Sequence, residues 1–270
     1  MISRSRFLSL TGAALALARC SAKTIGAVRI GSKISTENTA IAEIYAVALE
    51  RAKISVERHM NLGDAQSVMS ALLRGDIDLY PEYIQTGTRD GVAWLMPSPV
   101  NDSPCLATSE YVAEEYWMLT LTACARIAGK LRFAAPAEFL APGGALERLQ
   151  RLYGGFDFKK VLPLDRGEQY DALGRGDADV ASAFITDAEI AEKRLIVLAD
   201  DKRFWPPYNV APAMRASVLH AHPRIRPVLD RISNAVTNYT VQQMNMRMKL
   251  LYMDPHDVAV DFVDAHGLRG

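Results

Sequence analysis

The chain has 270 residues, with 31 basic and 31 acidic side chains and an apolar fraction of 49%. This length is sufficient for two lobes of ordinary domain size, each with its own core. Because the charges balance and the basic residues form no stripe interleaved with aromatic residues, the sequence disfavours nucleic acid and an acidic membrane surface as partners.

The first residues have the form of an export signal. Two arginines precede an apolar run over residues 7–18, which ends in small residues. The run is too short to remain as a membrane span. The sequence allows two fates for Cys20: attachment of a lipid, or removal together with the export signal. We therefore expect residues 1–26 to be an export segment. The mature protein would then lie in the periplasm or on the outer face of the bacterial cytoplasmic membrane, tethered at most by an N-terminal lipid.

The next part of the chain alternates between strand and helix patterns. The predicted elements are a strand over 27–31, a helix over 37–52, a strand over 54–60, a helix over 65–73 and a strand over 77–79. This order is typical of an open α/β sheet, in which ligands bind beyond the carboxyl ends of the strands. We expect Lys33 and residues 80–86 to lie at those ends.

A loop rich in proline and serine then predicts a crossing into a second α/β unit. The loop covers 96–104, the second unit covers about 106–202, and its strands are predicted near 131–134, 159–163 and 179–184. A stiff aromatic segment over 204–209 returns the chain, and 224–266 has a helical pattern. We expect lobe 1 to combine 27–104 with 206–270, and lobe 2 to cover 105–205.

One pattern occurs once in each half of the chain. Residues 71–79 and 172–180 both read Ala-Leu-x-Arg-Gly-Asp-x-Asp followed by an apolar residue. Each copy predicts a helix end, a glycine in the left-handed conformation and then a strand entering a core. The pattern is either a common helix-stop signal that recurs by chance or a sign of two similar lobes. We interpret it as two lobes that hold one ligand between them.

The cysteines and histidines do not predict a metal site. Cys105 and Cys124 either form a disulfide in an oxidising compartment or remain two buried free thiols. No Cys/His spacing is typical of zinc, and the histidines are scattered. We expect no metal and no cofactor.

A set of motifs with consistent spacing runs along the chain. They are Val-Arg-Ile-Gly-Ser-Lys at 28–33, Tyr-Ala at 45–46, Asn-Leu-Gly at 61–63, Gly-Asp-Ile-Asp-Leu-Tyr-Pro-Glu-Tyr at 75–83, Thr-Asp at 186–187 and Pro-Pro-Tyr-Asn at 206–209. Together they resemble the glycine betaine/choline-type osmoprotectant-binding proteins of ABC importers, over about 28–268. The resemblance implies a type II periplasmic-binding-protein fold, in which two α/β lobes are joined by two crossover strands around a ligand cleft. It also implies a small quaternary-ammonium solute as ligand and ABC transporter permease subunits as partners.

The resemblance implies a binding site as well. A quaternary ammonium has no N–H to donate, so aromatic faces and weak carbonyl contacts must hold it, and each desolvated ring contributes roughly 0.5–2 kcal/mol. A betaine carboxylate needs Lys, Arg or hydroxyl donors. By resemblance, the site consists of the aromatic walls Tyr83, Phe184 and Tyr208, the carboxylate donors Lys33 and Thr86, the backbone carbonyl of Asp102 facing the cation, and Thr186.

Two departures from the family pattern weaken this site. Pro104 stands where the family has a cage tyrosine, and the segment 138–142 lacks an arginine that often binds the carboxylate. Losing a charged hydrogen-bond partner costs ~1.5–3 kcal/mol and losing a ring about 1 kcal/mol. A sum near ~3 kcal/mol is about a hundredfold in affinity. We therefore predict weak glycine betaine binding, or a ligand whose carboxylate is not the main point of attachment.

Two other functions compete with that of a solute receptor. The first is a diverged receptor or sensor for a different small solute, which the replacements at Pro104 and Pro142 favour. The second is an enzyme. The sequence has no Gly-x-Ser-x-Gly motif and no glycine-rich phosphate loop. We expect no catalytic residues.

Overall fold

The computed structural model describes residues 26–84 and 89–267. Within them the chain forms ten strands and twelve α-helices. The strands are β1 (Val28–Gly31), β2 (Val56–His59), β3 (Leu79–Tyr83), β4 (Val92–Trp94), β5 (Pro104–Thr108), β6 (Arg132–Ala135), β7 (Lys160–Pro163), β8 (Val180–Phe184), β9 (Ile196–Val197) and β10 (Val210–Arg215). The helices are α1 (Thr36–Arg51), α2 (Ala65–Arg74), α3 (Glu110–Tyr116), α4 (Leu121–Ile127), α5 (Ala137–Leu140), α6 (Ala145–Tyr153), α7 (Glu168–Arg175), α8 (Ala188–Glu192), α9 (Ala216–Ala221), α10 (Ile225–Ser233), α11 (Asn238–Leu250) and α12 (Pro255–Ala265).

The strands form two five-stranded sheets of the same design. The first has the order β2-β1-β3-β10-β4 and the second the order β7-β6-β8-β5-β9. In the first, β1 pairs in parallel with β2 and β3, while β10 runs antiparallel to both of its neighbours. In the second, β6 pairs in parallel with β7 and β8, while β5 is antiparallel to its neighbours. We call the units built on these sheets lobe 1 and lobe 2. The predicted two-lobed α/β fold is confirmed.

The repeated sequence pattern forms the same local structure in both lobes. Gly75 ends α2 with φ 82° and Gly176 ends α7 with φ 74°, which is the left-handed conformation that favours glycine. The strand predicted over 77–79 was placed too early. Residues 76 and 77 still donate backbone hydrogen bonds to the carbonyl of Ala71, so the helix end continues as a turn and β3 begins at Leu79.

The second aspartate of each pattern ties the incoming strand to its neighbour. Asp78 accepts hydrogen bonds from the backbone N–H of Arg29 at 3.0 Å and from the guanidinium of the same residue. Asp179 accepts the equivalent bonds from Arg132, with 2.7 Å to the backbone nitrogen. Arg29 is the second residue of β1, and Arg132 is the first residue of β6. The repeat therefore reflects two lobes with equivalent internal bonds.

Each lobe has its own apolar core. In lobe 1, α1 is buried continuously from Asn38 to Leu49 because it packs between its sheet and the helices α10, α11 and α12. The C-terminal helices therefore belong to lobe 1. In lobe 2 two clusters cover opposite faces of the second sheet.

The two cysteines of lobe 2 lie in different clusters. Cys105 packs in one and Cys124 in the other, so they are on opposite faces of the sheet and both thiols are free. Burial raises the pKa of Cys105 well above its usual range and that of Cys124 to about 12. The disulfide interpretation is therefore wrong, and the interpretation as buried thiols is confirmed.

Residues 1–25 of the predicted export segment, including Cys20, lie outside the described residues. Among the helices of the described part, none is both long enough and apolar enough to cross a bilayer. In the same part, no group of His, Cys, Asp and Glu side chains has the arrangement needed to hold a metal ion.

Candidate functional site at the crossover segments

Two segments cross side by side between the lobes. Asn101 accepts hydrogen bonds through its side-chain oxygen from the hydroxyl of Ser103 and from the backbone N–H of Tyr208. In return, Asn209 donates from its amide to the backbone carbonyls of Ser98 and Val100. These bonds fix the first crossing against the second. They place Asp102 and Tyr208 next to each other, with the backbone N–H of Asp102 donating to the carbonyl of Tyr208 at 3.1 Å.

An aromatic pair lies at this junction. The rings of Tyr83 and Tyr208 stack with centroids 5.3 Å apart and planes 22° from parallel. The ammonium of Lys33 lies 4.7 Å from the centroid of the Tyr83 ring. The structure therefore brings together three of the predicted site residues, one from the end of β1, one from the end of β3 and one from the second crossing.

The ammonium of Lys33 is also paired with a carboxylate. Lys33 Nζ lies 2.5 Å from Oε1 of Glu82, and both side chains are largely buried, with 16% and 12% of their surface exposed. Glu82 also accepts from the Tyr80 hydroxyl at 2.8 Å and from the backbone N–H of Tyr83. A ligand carboxylate could reach Lys33 only by sharing it with Glu82, which differs from the simple donor role that the sequence predicted.

Glu37 is a site residue that the sequence reading missed. It lies in the first turn of α1, where the positive end of the helix dipole stabilises a negatively charged side chain. Its carboxylate accepts a short hydrogen bond from the Tyr83 hydroxyl and another, at 2.7 Å, from the side-chain amide of Asn245. Burial and the charge of Glu37 raise the pKa of Tyr83, so this phenol stays protonated as the donor.

Asp102 and Thr186 form the lobe 2 side of the junction. The Thr186 hydroxyl donates to Oδ1 of Asp102 at 2.6 Å. Burial, followed by the charge of Glu37, raises the pKa of Asp102 to about 7, while the Thr186 hydrogen bond and Lys33 act in the opposite direction. The predicted role of Asp102 lay in its backbone carbonyl; the structure adds a titratable carboxyl group beside the tyrosine pair.

Helix α11 of lobe 1 contacts lobe 2 through one face. Gln242 donates to the carbonyl of Ile185 at 2.6 Å and Asn245 to the carbonyl of Thr186 at 2.8 Å. One helical turn further, Lys249 forms an ion pair with Glu189 of α8. The positions 242, 245 and 249 are spaced so that they share a helix face. This face holds the two lobes in contact beside the tyrosine pair.

Phe184 lines a cavity formed mostly by lobe 2, to which Lys249 of lobe 1 also contributes. This cavity has a volume of about 490 Å³, and Pro104 and Trp205 also line it. Pro104 and Phe184 are direct neighbours in the β5–β8 ladder. The predicted aromatic walls are thus a stacked pair at the crossover and a ring that lines this cavity. Thr86, the remaining predicted residue, lies outside the described residues.

The chain is similar in sequence and in structure to known solute-binding proteins. Residues 26–265 match a family described as the substrate binding domain of ABC-type glycine betaine transport systems. The glycine betaine-binding protein YehZ of Escherichia coli K12 is 27% identical over 278 residues, which cover 89% of this chain and 90% of YehZ. The solved structure of apo YehZ superposes with a TM-score of 0.82 at 25% identity, over 90% of this chain and 100% of that one.

A second relative has a different named ligand. The ergothioneine transport permease/ergothioneine binding protein EgtU of Helicobacter pylori G27 is 26% identical over 263 residues, which cover 88% of this chain. The chain spans about half, 47%, of the length of that relative. Similar proteins are thus named for two different solutes, glycine betaine and ergothioneine.

Proposed function

Since the chain belongs to the family of substrate binding domains of ABC-type glycine betaine transport systems, we propose that it is an exported receptor that captures a quaternary-ammonium solute and delivers it to permease subunits. The family match establishes the binding role. The location outside the cytoplasm, the permease as partner and the identity of the solute are parts of the proposal.

The stacked pair of Tyr83 and Tyr208 supports this proposal most directly. Aromatic faces attract a cation that has no N–H groups, at roughly 0.5–2 kcal/mol per ring when water is excluded. The carboxylates of Glu37 and Asp102 border the same pair and add long-range attraction for a positive ligand. We propose that the ammonium group of the solute binds against this tyrosine pair, beside the carboxylates of Glu37 and Asp102.

The pairing of Lys33 favours a ligand other than glycine betaine. Because Glu82 already neutralises Lys33, a ligand carboxylate gains less from this ammonium than it would from an unpaired one. Pro104 adds a second loss, since it contributes no aromatic face. We therefore propose weak glycine betaine binding and a different betaine as the natural solute. The second candidate is a diverged receptor or sensor for another small solute. The pairing of Lys33 with Glu82 and the proline at position 104 favour this candidate as well.

Isothermal titration calorimetry of the purified protein tests the binding role. The probes are choline, glycine betaine, ergothioneine and carnitine. We expect measurable binding of at least one of them, and a loss of roughly 2- to 30-fold in Tyr83→Ala or Tyr208→Ala. Tyr111→Ala is the control, because Tyr111 is 72% exposed on α3. Equal affinity of the wild type and both alanine variants would contradict the cage, and submicromolar glycine betaine affinity would contradict the weak binding.

A further inference from the structure

A surface of lobe 2 outside the candidate site exposes three large apolar side chains. Tyr111, Trp117 and Leu119 lie on or just after α3, with 72%, 89% and 60% of their surface exposed. The other two tryptophans of the chain, Trp94 and Trp205, are partly buried. Tryptophan is highly buried on average, and exposed aromatic residues are typical of those that dominate protein–protein interfaces. Packing of the core therefore does not account for Trp117.

Two of these side chains line a groove, which we call the α3 groove. Its volume is about 470 Å³, within the range of small binding sites, roughly 300–1,000 Å³. Leu119 is fixed beside β9, because the backbone N–H of Ala199 donates to the carbonyl of Leu119 at 2.9 Å. The groove is lined by Glu110, Ala113, Glu114, Trp117, Leu119 and Ile196. The first four are spaced so that they share one face of α3.

Trp117 adopts a backbone conformation that is unfavourable for a large side chain. It ends α3 with φ 51°, in the left-handed region, where glycine or asparagine causes less strain. Its indole ring is also almost fully exposed, so it buries little apolar surface. The fold therefore gains little from a tryptophan at this position, and the ring is available to a partner.

The charge of the α3 groove comes from two glutamates one helical turn apart. Within residues 26–84 and 89–267, Glu110 and Glu114 have neither an ion pair nor a side-chain hydrogen bond, and no basic residue lines the groove. Helix α6 differs, because there Glu147 pairs with Arg151 at the same spacing. Like charges at this spacing repel each other. A positive charge from outside would relieve the repulsion, so the groove favours a cationic partner.

The α3 groove lies away from the candidate site. β5 begins at Pro104, two residues after Asp102, and ends at Thr108, shortly before α3. Ile196 of the groove pairs with Thr108 in the ladder. Because a strand rises about 3.3 Å per residue, the two ends of β5 are ~13 Å apart. The groove and the candidate site thus lie at opposite ends of β5, and both can be occupied at once.

We propose that the α3 groove is a docking site for a partner protein, which places a basic side chain against Trp117 and the two glutamates and covers Leu119 with apolar neighbours of that residue. This inference goes beyond the proposed function, because it concerns a second surface and does not involve the solute. A guanidinium stacks on aromatic faces and bonds to carboxylates, so arginine matches both features of the groove. A small free cation would leave Leu119 and Tyr111 exposed, and the apolar surface therefore favours a protein.

Titration with three short peptides tests the docking site. The first, Ac-Gly-Ser-Leu-Arg-Leu-Ser-Gly-NH2, has a central arginine between two leucines. The second has glutamate in place of the arginine, and the third has serine in place of both leucines. Fluorescence anisotropy of the labelled peptides measures binding. We expect saturable binding of the arginine peptide with a Kd of about 1 mM or below, and binding of the other two that is weaker by about threefold or more.

Substitutions in the groove should weaken binding of the arginine peptide without affecting the candidate site. The double variant Glu110→Gln/Glu114→Gln keeps the shape of the groove and removes its charge, so we expect a loss of about threefold to tenfold. Trp117→Ala removes the aromatic face, with an expected loss of about threefold or more. Choline affinity should stay within about twofold of wild type in both variants, because distant sites act independently.

Each variant has a matched control. Glu115 lies on the same helix, is exposed and does not line the groove, so Glu115→Gln should bind the arginine peptide as wild type does. Tyr252 has the same exposure as Trp117, 89%, and the same φ of 51°, but follows α11 in lobe 1. Tyr252→Ala therefore controls for the loss of an exposed ring and should also bind as wild type does.

Several results would overturn the docking site. Absence of saturable binding by the arginine peptide would do so, as would equal binding of either substituted peptide. Equally tight binding of free N-acetyl-arginine amide would make the groove a site for small cations. Dimers of the wild type in analytical ultracentrifugation that are lost in Trp117→Ala would make it an interface between two copies of the chain. None of these results concerns choline binding at the tyrosine pair, so the proposed function stands or fails separately.

Discussion

Tyr83 and Tyr208 stack on each other although the whole of lobe 2 lies between them in the sequence. Tyr83 ends β3 of lobe 1, and Tyr208 lies in the second crossing just before β10. Val210 pairs with Tyr83 in the ladder, so the sheet itself sets the distance between the two rings. The proposed cation site therefore lies where the two lobes are joined, and any change in the crossing segments acts on it directly.

The ring and the hydroxyl of Tyr83 have different functions, and substitution can separate them. Tyr83→Phe keeps the aromatic face and removes the hydrogen bond to Glu37. We expect choline affinity within about threefold of wild type for the phenylalanine variant, since the cation is held by the ring, and a stability loss of ~0.5–1.5 kcal/mol from the missing hydrogen bond. Calorimetry and thermal denaturation measure the two effects. A phenylalanine variant as weak as Tyr83→Ala would assign the binding energy to the hydroxyl instead.

Choline affinity is expected to increase with pH because of Asp102. Its pKa is raised to about 7 by burial and by the charge of Glu37, so the carboxyl gains its negative charge between about pH 6 and pH 8. A bound quaternary ammonium favours the charged form and releases a proton. Calorimetry at pH 6 and pH 8 should show tighter binding at pH 8. In Asp102→Asn the two values should agree, and a pH dependence that survives in this variant would contradict the role of Asp102.

The carboxyl group of Asp102 is expected to lower the stability of the unliganded protein as the pH rises, although it raises choline affinity. Because its folded pKa lies above the unfolded value of about 3.9, the native state binds more protons than the unfolded state between about pH 4 and pH 7. The free energy of unfolding contributed by this group therefore falls as the pH rises through that interval. Thermal denaturation of unliganded wild type and Asp102→Asn should show the wild type losing stability relative to the variant over this range.

Asn245 is expected to control how tightly the lobes stay together without ligand. Its amide donates to Glu37 in lobe 1 and to the carbonyl of Thr186 in lobe 2. Asn245→Ala should destabilise this contact by ~1–3 kcal/mol and increase the radius of gyration measured by small-angle scattering. Asn234→Ala is the control, because Asn234 is exposed at the end of α10 and bonds only within its own helix among the described contacts. Equal scattering curves for wild type and Asn245→Ala would show that α11 does not hold the lobes.

The repeated pattern predicts a sharp contrast between two neighbouring aspartates. Asp78 is buried between Arg29 and Arg215, whereas Asp76 pairs with Arg74 at the surface. Asp78→Asn should lower the free energy of unfolding by ~1.5–3 kcal/mol at neutral pH, and Asp76→Asn by less than about 1 kcal/mol. Urea denaturation of the two variants makes the comparison.

The effect of Asp78 should disappear in acid. Burial alone would raise its pKa, but the hydrogen bonds and charge of Arg29, together with Arg215, hold the pKa of Asp78 below its usual range. Its stabilising contribution is therefore complete above about pH 4 and is lost as the pH falls through the lower folded value. The stabilities of wild type and Asp78→Asn should converge at low pH. A constant difference between them would contradict the pairing.

The sequence was sufficient for the α/β order and for the repeat, because these follow from local periodicity and from two glycines that need a positive φ. It was not sufficient for the strands β4, β5, β9 and β10. β9 has two residues and β4 has three, and β5 begins with a proline that reads as part of a loop. These strands exist because they pair with distant strands, and such pairing leaves no local signal.

The candidate binding site could likewise be predicted only in part from the sequence. Tyr83 and Tyr208 lie in distinctive motifs and could be predicted from the family resemblance. Glu37 could not, since an acidic residue in the first turn of a helix is explained by the helix dipole alone.

The position of β10 in the first sheet has a consequence for how the protein is made. β3 and β4 both pair with β10, yet β10 is synthesised only after every strand of lobe 2. Lobe 2 can complete its sheet from residues 104–197, which are contiguous in the chain, whereas lobe 1 stays open until residues 210–215 and the helices that follow have emerged. The part of the chain made first is thus the last to complete its sheet, because β3 and β4 lack the strand that joins them until β10 is available.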